Sequence, residues 1–126
     1  MKTRIKISWK TGNISALLKN TPSTQALIKL LPIESYANTW GEEVYFSVPM
    51  SVSLEKDARQ VVAPGTICFW VEGNSLALPF GPTPISEGNE SRLATACNIL
   101  GEIEEEANTL QFIQPGEKIT VEKYID

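Results

Sequence analysis

The sequence contains no histidine, and this absence excludes a large part of enzyme chemistry. Ser-His-Asp and Cys-His catalysis both use an imidazole as general base, and imidazole is the commonest side chain in transition-metal sites. We therefore expect no histidine-dependent catalysis and no imidazole metal site, and we predict that the protein has no metal site and no cofactor.

Cysteine is scarce as well, with Cys68 and Cys97 as the two thiols of the chain. Each lies inside an apolar segment. In a cytosolic protein this placement favours two buried free thiols over a disulfide.

Basic residues are too few and too scattered for a nucleic-acid surface. The net charge is -4, the pI is about 4.9, and the three arginines are far apart in sequence. Binding to nucleic acid needs clustered Lys and Arg, so we predict no nucleic-acid partner.

Long hydrophobic runs are also lacking, since none approaches the ~20 residues that cross a bilayer. The basic start, Met1–Ile7, has no continuous apolar stretch after it, which argues against a signal peptide. We therefore predict a cytoplasmic protein with no membrane partner.

The first part of the chain has the pattern of a hairpin followed by a helix. Arg4–Lys10 alternates apolar and polar residues, as a half-buried strand does, and Ile14–Leu18 follows a Thr-Gly-Asn turn as its return strand. Thr21 then predicts a helix N-cap with Pro22 at the first helical position, and Pro32 ends the helix.

The rest of the chain alternates short apolar runs with Gly and Pro turns, which indicates a β protein. Pro79 predicts an edge strand or a strand end. The polar stretch Ser53–Arg59 predicts a loop or a short edge strand. Glu104–Glu106 predicts the start of a short helix around Ala107–Ile113, since acidic residues suit a helix N-terminus, in preference to a calcium site. The further predicted strands are two runs joined at Gly41, then Thr66–Val71, Ser75–Phe80, Ala94–Ile103 and Lys118–Ile125.

About eight short strands and two short helices result, with no repeat or linker, so we predict one domain spanning residues 1–126. Three motifs resemble a small prokaryotic family of cyclophilin-like barrel proteins: Asn38–Pro49, the segment from Pro64-Gly65 to Phe80-Gly81-Pro82-Thr83-Pro84, and Asn98–Ile103. The resemblance implies a mainly β fold: a closed eight-stranded antiparallel barrel with a short helix capping each open end.

The resemblance also implies a ligand groove on the outside of the barrel, because a closed barrel has a packed interior. In cyclophilins this groove carries an arginine in the first strand of the central hairpin. Here Asn38 lies at or beside that position, and no arginine occurs between Arg4 and Arg59. Asparagine lacks the charge and fork geometry of a guanidinium, which argues against efficient prolyl isomerase activity.

Several side chains of the two central hairpins are candidates for this groove. Alternation places Phe69 and Trp70 on opposite faces, as it does Tyr45 and Phe46, so one of each pair belongs to the core. For any single aromatic residue, packing in the core is the simpler interpretation. The candidate groove residues are Asn38, Trp40, Glu43, Tyr45, Phe69, Trp70, Phe80 and Thr83.

Two neighbouring features have structural interpretations. Glu42 and Glu43 could act as acid and base, but adjacent carboxylates at a hairpin tip are more typical of a solvated turn. Gly81–Pro84 predicts a rigid bend beside the groove, because its two prolines lack the amide donors that a phosphate site needs.

These patterns favour a protein that binds a peptide segment or a small molecule in an external aromatic groove. Two alternatives stay open. One is a weak or divergent prolyl isomerase. The other is an accessory module of a larger amide-processing enzyme, which rests on likeness of fold alone.

Overall fold

The computed structural model describes residues 2–125, and within them it consists mainly of antiparallel strands joined by short turns. A nine-residue α-helix and a short 3₁₀ helix complete the fold. The elements are β1 Thr3–Trp9, β2 Gly12–Leu18, α1 Pro22–Leu30, β3 Ile33–Tyr36, β4 Asn38–Thr39, β5 Glu43–Ser47, β6 Arg59–Val62, β7 Thr66–Trp70, β8 Ser75–Pro79, β9 Ser91–Ile103, the 3₁₀ helix Ala107–Phe112 and β10 Lys118–Lys123.

The strands form a nearly closed barrel in the order β3-β10-β1-β2-β9-β7-β8-β5-β4, with β6 paired to β9 beside this path. The two ends of the path, β3 and β4, follow each other in the chain and are separated by Ala37. The amide of Ala37 donates to the Glu117 carbonyl, so this segment continues the β10 ladder before it turns to β5. In the described residues, no strand pairing joins the two ends of this path, so the barrel is open along one line.

A closed ring of eight strands is therefore wrong in detail, although the mainly β, antiparallel barrel is confirmed. The count differs for two physical reasons. The segment Ile33–Thr39 divides at Ala37 and pairs with two different neighbours, so it forms two strands instead of one. Ser53–Arg59 is predicted to be a loop or a short edge strand, and the structure has an additional strand, Arg59–Val62, that begins at its last residue and pairs with the first half of β9.

The barrel interior is filled by alternate residues of the strands, as the sequence pattern predicts. Ile7 pairs with Ile14 and Ile5 with Ala16 across β1 and β2, and these four side chains are fully buried. Strand alternation directs their intervening neighbours to the outside. The first hairpin is thus confirmed, with its return strand beginning two residues earlier, at Gly12.

Both helices contribute a leucine to the interior, Leu27 from α1 and Leu110 from the 3₁₀ helix. Thr21 caps α1 as predicted, because its side chain accepts a hydrogen bond from the amide of Thr24 at 3.1 Å. Within residues 2–125, no helix has the length and apolar character needed to cross a membrane.

The acidic run before the 3₁₀ helix has a different role from the one predicted. Glu104 accepts two hydrogen bonds from the Arg4 guanidinium, at 2.8 and 3.0 Å, and Glu105 accepts from the amide of Ser15. Glu106 occupies the N-cap position without a side-chain capping bond. These carboxylates hold the β9 end against the first hairpin and do not stabilise the helix start.

Candidate functional site

Strands β5, β8 and β7 bury side chains on both of their faces, and this feature defines the candidate site. Their inward residues, including Phe46, Leu76 and Phe69, join the barrel core. Their outward residues join a second apolar cluster on the outer surface, against which Tyr45 and Trp70 pack. The buried members of this outer cluster are Val62, Cys68, Ala77, Leu93, Cys97 and Ile99.

A cavity of about 300 Å³ opens beside the outer cluster. This volume lies at the lower end of the range for small-molecule pockets, which is ~300–1,000 Å³. The lining combines three aromatic rings, one carboxyl group, one thiol and small apolar side chains. The lining residues are Trp40, Glu43, Tyr45, Trp70, Ala77, Leu93, Ala94 and Cys97.

Tyr45 and Trp70 form one wall of the cavity. Their rings meet edge to face, with centroids 6.3 Å apart and planes at 89°. Such an arrangement is favourable because the positive edge of one ring meets the negative face of the other. A Cβ at Gly73 would collide with the Trp70 indole, so the turn after β7 packs closely on this ring.

Glu43 lies at the start of β5, and its side chain is only 6% exposed. Its Oε1 atom is buried and has no hydrogen-bond partner, as is also true of the indole nitrogen of Trp70. Burial raises the pKa of Glu43 to about 7, because the ionised carboxylate has lost its water without gaining a compensating partner. A polar group buried without a partner is costly, and the indole nitrogen of Trp9 in the barrel core is a third such atom.

The turn between β4 and β5 holds Trp40 and Glu43 in place. The amide of Trp40 donates to the Glu43 carbonyl at 3.0 Å, and Gly41 between them has φ +60. A Cβ on Gly41 would lie 2.9 Å from Thr83 Cα and 2.8 Å from Pro84 Cδ. Only glycine fits this close approach without strain.

The segment after β8 supports this turn. Gly81–Pro84 is predicted to be a rigid bend beside the groove, and it packs against the turn. Its Pro82 carbonyl accepts from the amide of Glu42 at 2.9 Å, and the Phe80 amide donates to the Glu42 carbonyl at 2.8 Å. Thr83 is buried, and its hydroxyl donates to the Arg92 carbonyl. Thr83 thus ties the bend to β9.

The structure brings four of the eight candidate residues together around the cavity: Trp40, Glu43, Tyr45 and Trp70. The remaining four lie elsewhere. Phe69 is fully buried in the barrel core, and Phe80 is half-buried and packs against that core. Thr83 supports the bend. Asn38 is paired opposite Tyr45 but is exposed and borders a separate, more open hollow.

The opposite placement of neighbouring aromatic residues is confirmed. Phe46 and Phe69 point into the barrel and are fully buried, whereas Tyr45 and Trp70 lie on the outer face. The solvated interpretation is correct for Glu42, which is exposed, and wrong for Glu43. Glu43 belongs to the outward row of β5, and that row is covered by the outer cluster.

Both thiols are free and buried, as predicted. Burial raises the pKa of Cys97 to about 12, and the carboxylates of Glu43 and Glu72 add to this rise. Burial, then the neighbouring Cys97 and Glu43, raise the pKa of Cys68 as well. Neither thiol is a reactive nucleophile in this setting.

The β9 wall of the cavity was not among the candidates. It consists of Leu93, Ala94 and Cys97, which line the cavity together with Ala77 of β8. The apolar alternation of this strand is visible in the sequence. The sequence pattern does not show that β6 pairs with β9. This pairing extends β9 back to Ser91 and places its first half over the outer face.

Comparison with known proteins agrees with this fold. The model of the cyclophilin-like family matches residues 3–122, so the chain belongs to the cyclophilin-like family. A solved structure, that of the hypothetical protein AF2241 from Archaeoglobus fulgidus determined in solution, is similar over 98% of this chain and 95% of that chain. Its TM-score is 0.83 and its sequence is 32% identical. A comparison with curated proteins gave no match.

Proposed function

We propose that the protein is a binding protein that holds a small organic molecule, or one side chain of a peptide segment, in the outer cavity. The observation that carries this proposal is the combination of three aromatic rings and an unpartnered buried carboxyl oxygen around one cavity of about 300 Å³. Aromatic walls with a few placed polar groups are typical of ligand pockets.

The cost of this arrangement supports the proposal. Leaving a buried polar atom unpaired costs ~1–3 kcal/mol, and both Glu43 and Trp70 carry such an atom beside the cavity. A ligand that gave the Glu43 carboxyl group a partner would recover part of that free energy. A surface that served packing alone would gain stability from an apolar residue at position 43.

Catalysis of prolyl isomerisation receives less support. It needs an apolar pocket for the proline ring together with a donor near the twisted amide. Among the described residues that line the cavity there is no arginine, and Asn38 lies outside the lining. We therefore keep binding, without turnover, as the function that the geometry favours.

The proposal is tested by a screen of small aromatic and apolar molecules against thermal unfolding. A compound at 100-fold its Kd stabilises a folded protein by ~2.7 kcal/mol, or about 10 °C for a domain of this size. We expect at least one compound to raise Tm, and we expect Trp70→Ala to abolish the shift.

The matched control is Tyr36→Ala, which removes an aromatic ring that is 63% exposed and does not line the cavity. It should leave the Tm shift unchanged. A proline-peptide assay on the same samples should show no acceleration. The proposal fails if no compound shifts Tm, or if the shift persists in Trp70→Ala.

A further inference from the structure

The outer cavity has the charge character of a site for a cation. In the described part of the chain, Glu43 is the one carboxyl group in its lining, and neither lysine nor arginine lines it. The nearby Arg92 is already bound to carboxylates, with Nε 2.6 Å from Glu90 and an outer nitrogen 3.1 Å from Glu87. No lysine or arginine among the described lining residues is available to Glu43, so a positive partner for its ionised form would come from a ligand.

The three aromatic rings of the cavity also favour a positively charged ligand. Trp40, Tyr45 and Trp70 surround the same cavity. The face of an aromatic ring carries partial negative charge, which attracts ammonium and guanidinium groups by ~0.5–2 kcal/mol per ring. A cavity with several rings and one carboxylate is therefore selective for a positive organic group.

Glu43 also affects the thiol of Cys97, whose pKa is raised first by burial. The negative charges of Glu43 and Glu72 both raise the pKa of Cys97, a lining residue. When both carboxyl groups are ionised, they make the local potential negative. A cation entering the cavity would be stabilised by this potential, whereas an anion would be repelled.

We propose that the occupant of the cavity is an organic ammonium or guanidinium cation, with an N–H group donating to Glu43 and an apolar body contacting Trp40, Tyr45 and Trp70. This inference rests on the proposed function and narrows its ligand to one charge class. Free amines and the Lys or Arg side chains of peptides share this head-group chemistry.

The test compares benzylammonium with benzyl alcohol, which has the same shape but carries no charge. Binding is measured by titration calorimetry and by tryptophan fluorescence at pH 8. We expect benzylammonium to bind at least 10-fold more tightly. Glu43→Gln should remove this preference, while Glu42→Gln, which neutralises the adjacent exposed carboxylate, should keep it.

A second readout is the pH dependence of binding. A cation binds the ionised form of Glu43, so its affinity should rise about 30-fold from pH 5.5 to pH 8 as a group of pKa about 7 loses its proton. Both thiols hold their protons over this range, because burial raises their pKa values. Other titratable and charged groups lie on β5, β7 and β9 and on the segments joining β4 to β5, β7 to β8 and β8 to β9. They are Glu42, Tyr45, Cys68, Glu72, Glu87, Glu90, Arg92, Cys97 and Glu102.

Two further probes distinguish the sources of the cation. Acetyl-lysine-amide and acetyl-arginine-amide, with blocked backbones and free side chains, represent a peptide. Tighter binding of either one than of benzylammonium indicates a peptide side chain, and the reverse indicates a free amine. Each result supports a cation site.

Other outcomes overturn the inference. If both benzyl probes bind equally and Trp70→Ala abolishes both, the cavity binds small molecules but the charge preference is wrong. If a neutral compound from the Tm screen binds and benzylammonium does not, the proposed function stands while the cation assignment fails. Absence of binding by all four probes also contradicts the assignment.

Discussion

The barrel interior and the outer cavity are two sides of the same strands, but they bury side chains of different chemistry. The interior cluster is composed of apolar residues such as Phe46, Phe69 and Leu76. The outer face also contains apolar residues, yet it buries Glu43 and leaves its Oε1 atom and the Trp70 indole nitrogen without partners.

This difference is the basis of our proposal that the inward face serves stability and the outward face serves binding. A core is most stable when it contains no unsatisfied polar atom. Among the described residues the interior has one such atom, the indole nitrogen of Trp9 on β1, while the inward side chains of β5, β7 and β8 contribute none. The outward face of these strands departs from this condition at the cavity. We attribute that departure to ligand recognition, and the following four predictions test the contrast.

The largest effect is expected from truncating neighbouring aromatic residues of β7. Phe69→Ala should lower the free energy of unfolding by ~3–5 kcal/mol, because it leaves a large void in a closed core. Trp70→Ala should cost only ~1–2 kcal/mol, since this side chain is partly exposed. Urea unfolding gives both values, and equal losses would remove the distinction between the faces.

The second effect concerns the pH dependence of stability. The folded-state pKa of Glu43, about 7, lies above its ordinary 4.5, so the folded protein holds this proton more tightly than the unfolded chain. The contribution of Glu43 to the free energy of unfolding is fully present below pH 4.5. It falls as the pH rises and levels off above pH 7, and the total loss is up to ~3 kcal/mol.

Urea unfolding of wild type and Glu43→Gln at pH 4.5 and pH 8 measures this loss. The wild type should lose more stability than the variant over the interval. Glu42→Gln serves as control and should behave as wild type does. Parallel pH profiles of wild type and Glu43→Gln would show that Glu43 is not desolvated.

The third effect separates backbone strain from the support of the cavity. Gly41 and Gly88 both have positive φ, +60 and +67, but a Cβ would meet Thr83 and Pro84 only at position 41. Gly88→Ala should cost ~1–2 kcal/mol for the conformation alone. Gly41→Ala should cost more and should also weaken binding of benzylammonium, because it displaces the turn that holds Trp40 and Glu43.

Thermal unfolding and calorimetry of the two variants provide the measurement. A Gly41→Ala variant with wild-type affinity would contradict the role given to the turn. Loss of affinity for benzylammonium in Gly88→Ala would show that the effect is not specific to the turn at Gly41.

The smallest effect concerns thiol reactivity. Alkylation requires the thiolate, and the pKa of Cys97 is raised to about 12. Iodoacetamide at pH 8 should therefore modify the folded protein at least ~100-fold more slowly than the unfolded chain. In single Cys→Ala variants, benzylammonium should further protect Cys97, which lines the cavity, more than Cys68, which does not. Rapid modification of the folded protein would contradict this environment.

Much of the fold follows from local sequence pattern. The alternation of Arg4–Lys10, the cap at Thr21 and the Gly and Pro turns each determine an element through its own neighbouring residues. The division of Ile33–Thr39 at Ala37 and the pairing of β6 with β9 depend on distant partners. Local propensity carries no information about such pairings, which is why the strand count was wrong.

The candidate site was also predictable only where it depends on local sequence pattern. Strand alternation correctly separates Phe46 from Tyr45 and Phe69 from Trp70. It cannot show that the outward row of β5 is covered, so Glu43 was expected to be solvated. The cover comes from the first half of β9, a tertiary contact that brings Cys97 to the cavity.

The most direct test of ligand binding in the outer cavity uses the indole N–H signals of the three tryptophans in a ¹⁵N correlation spectrum. Trp40 and Trp70 line the cavity, whereas Trp9 belongs to the barrel core and borders a separate hollow, so its signal acts as an internal control. On titration with benzylammonium, the account predicts shifts of the Trp40 and Trp70 signals and none of Trp9. Ligand binding in the outer cavity would be contradicted if the Trp9 signal shifted while the Trp40 and Trp70 signals did not. It would also be contradicted if none of the three signals shifted.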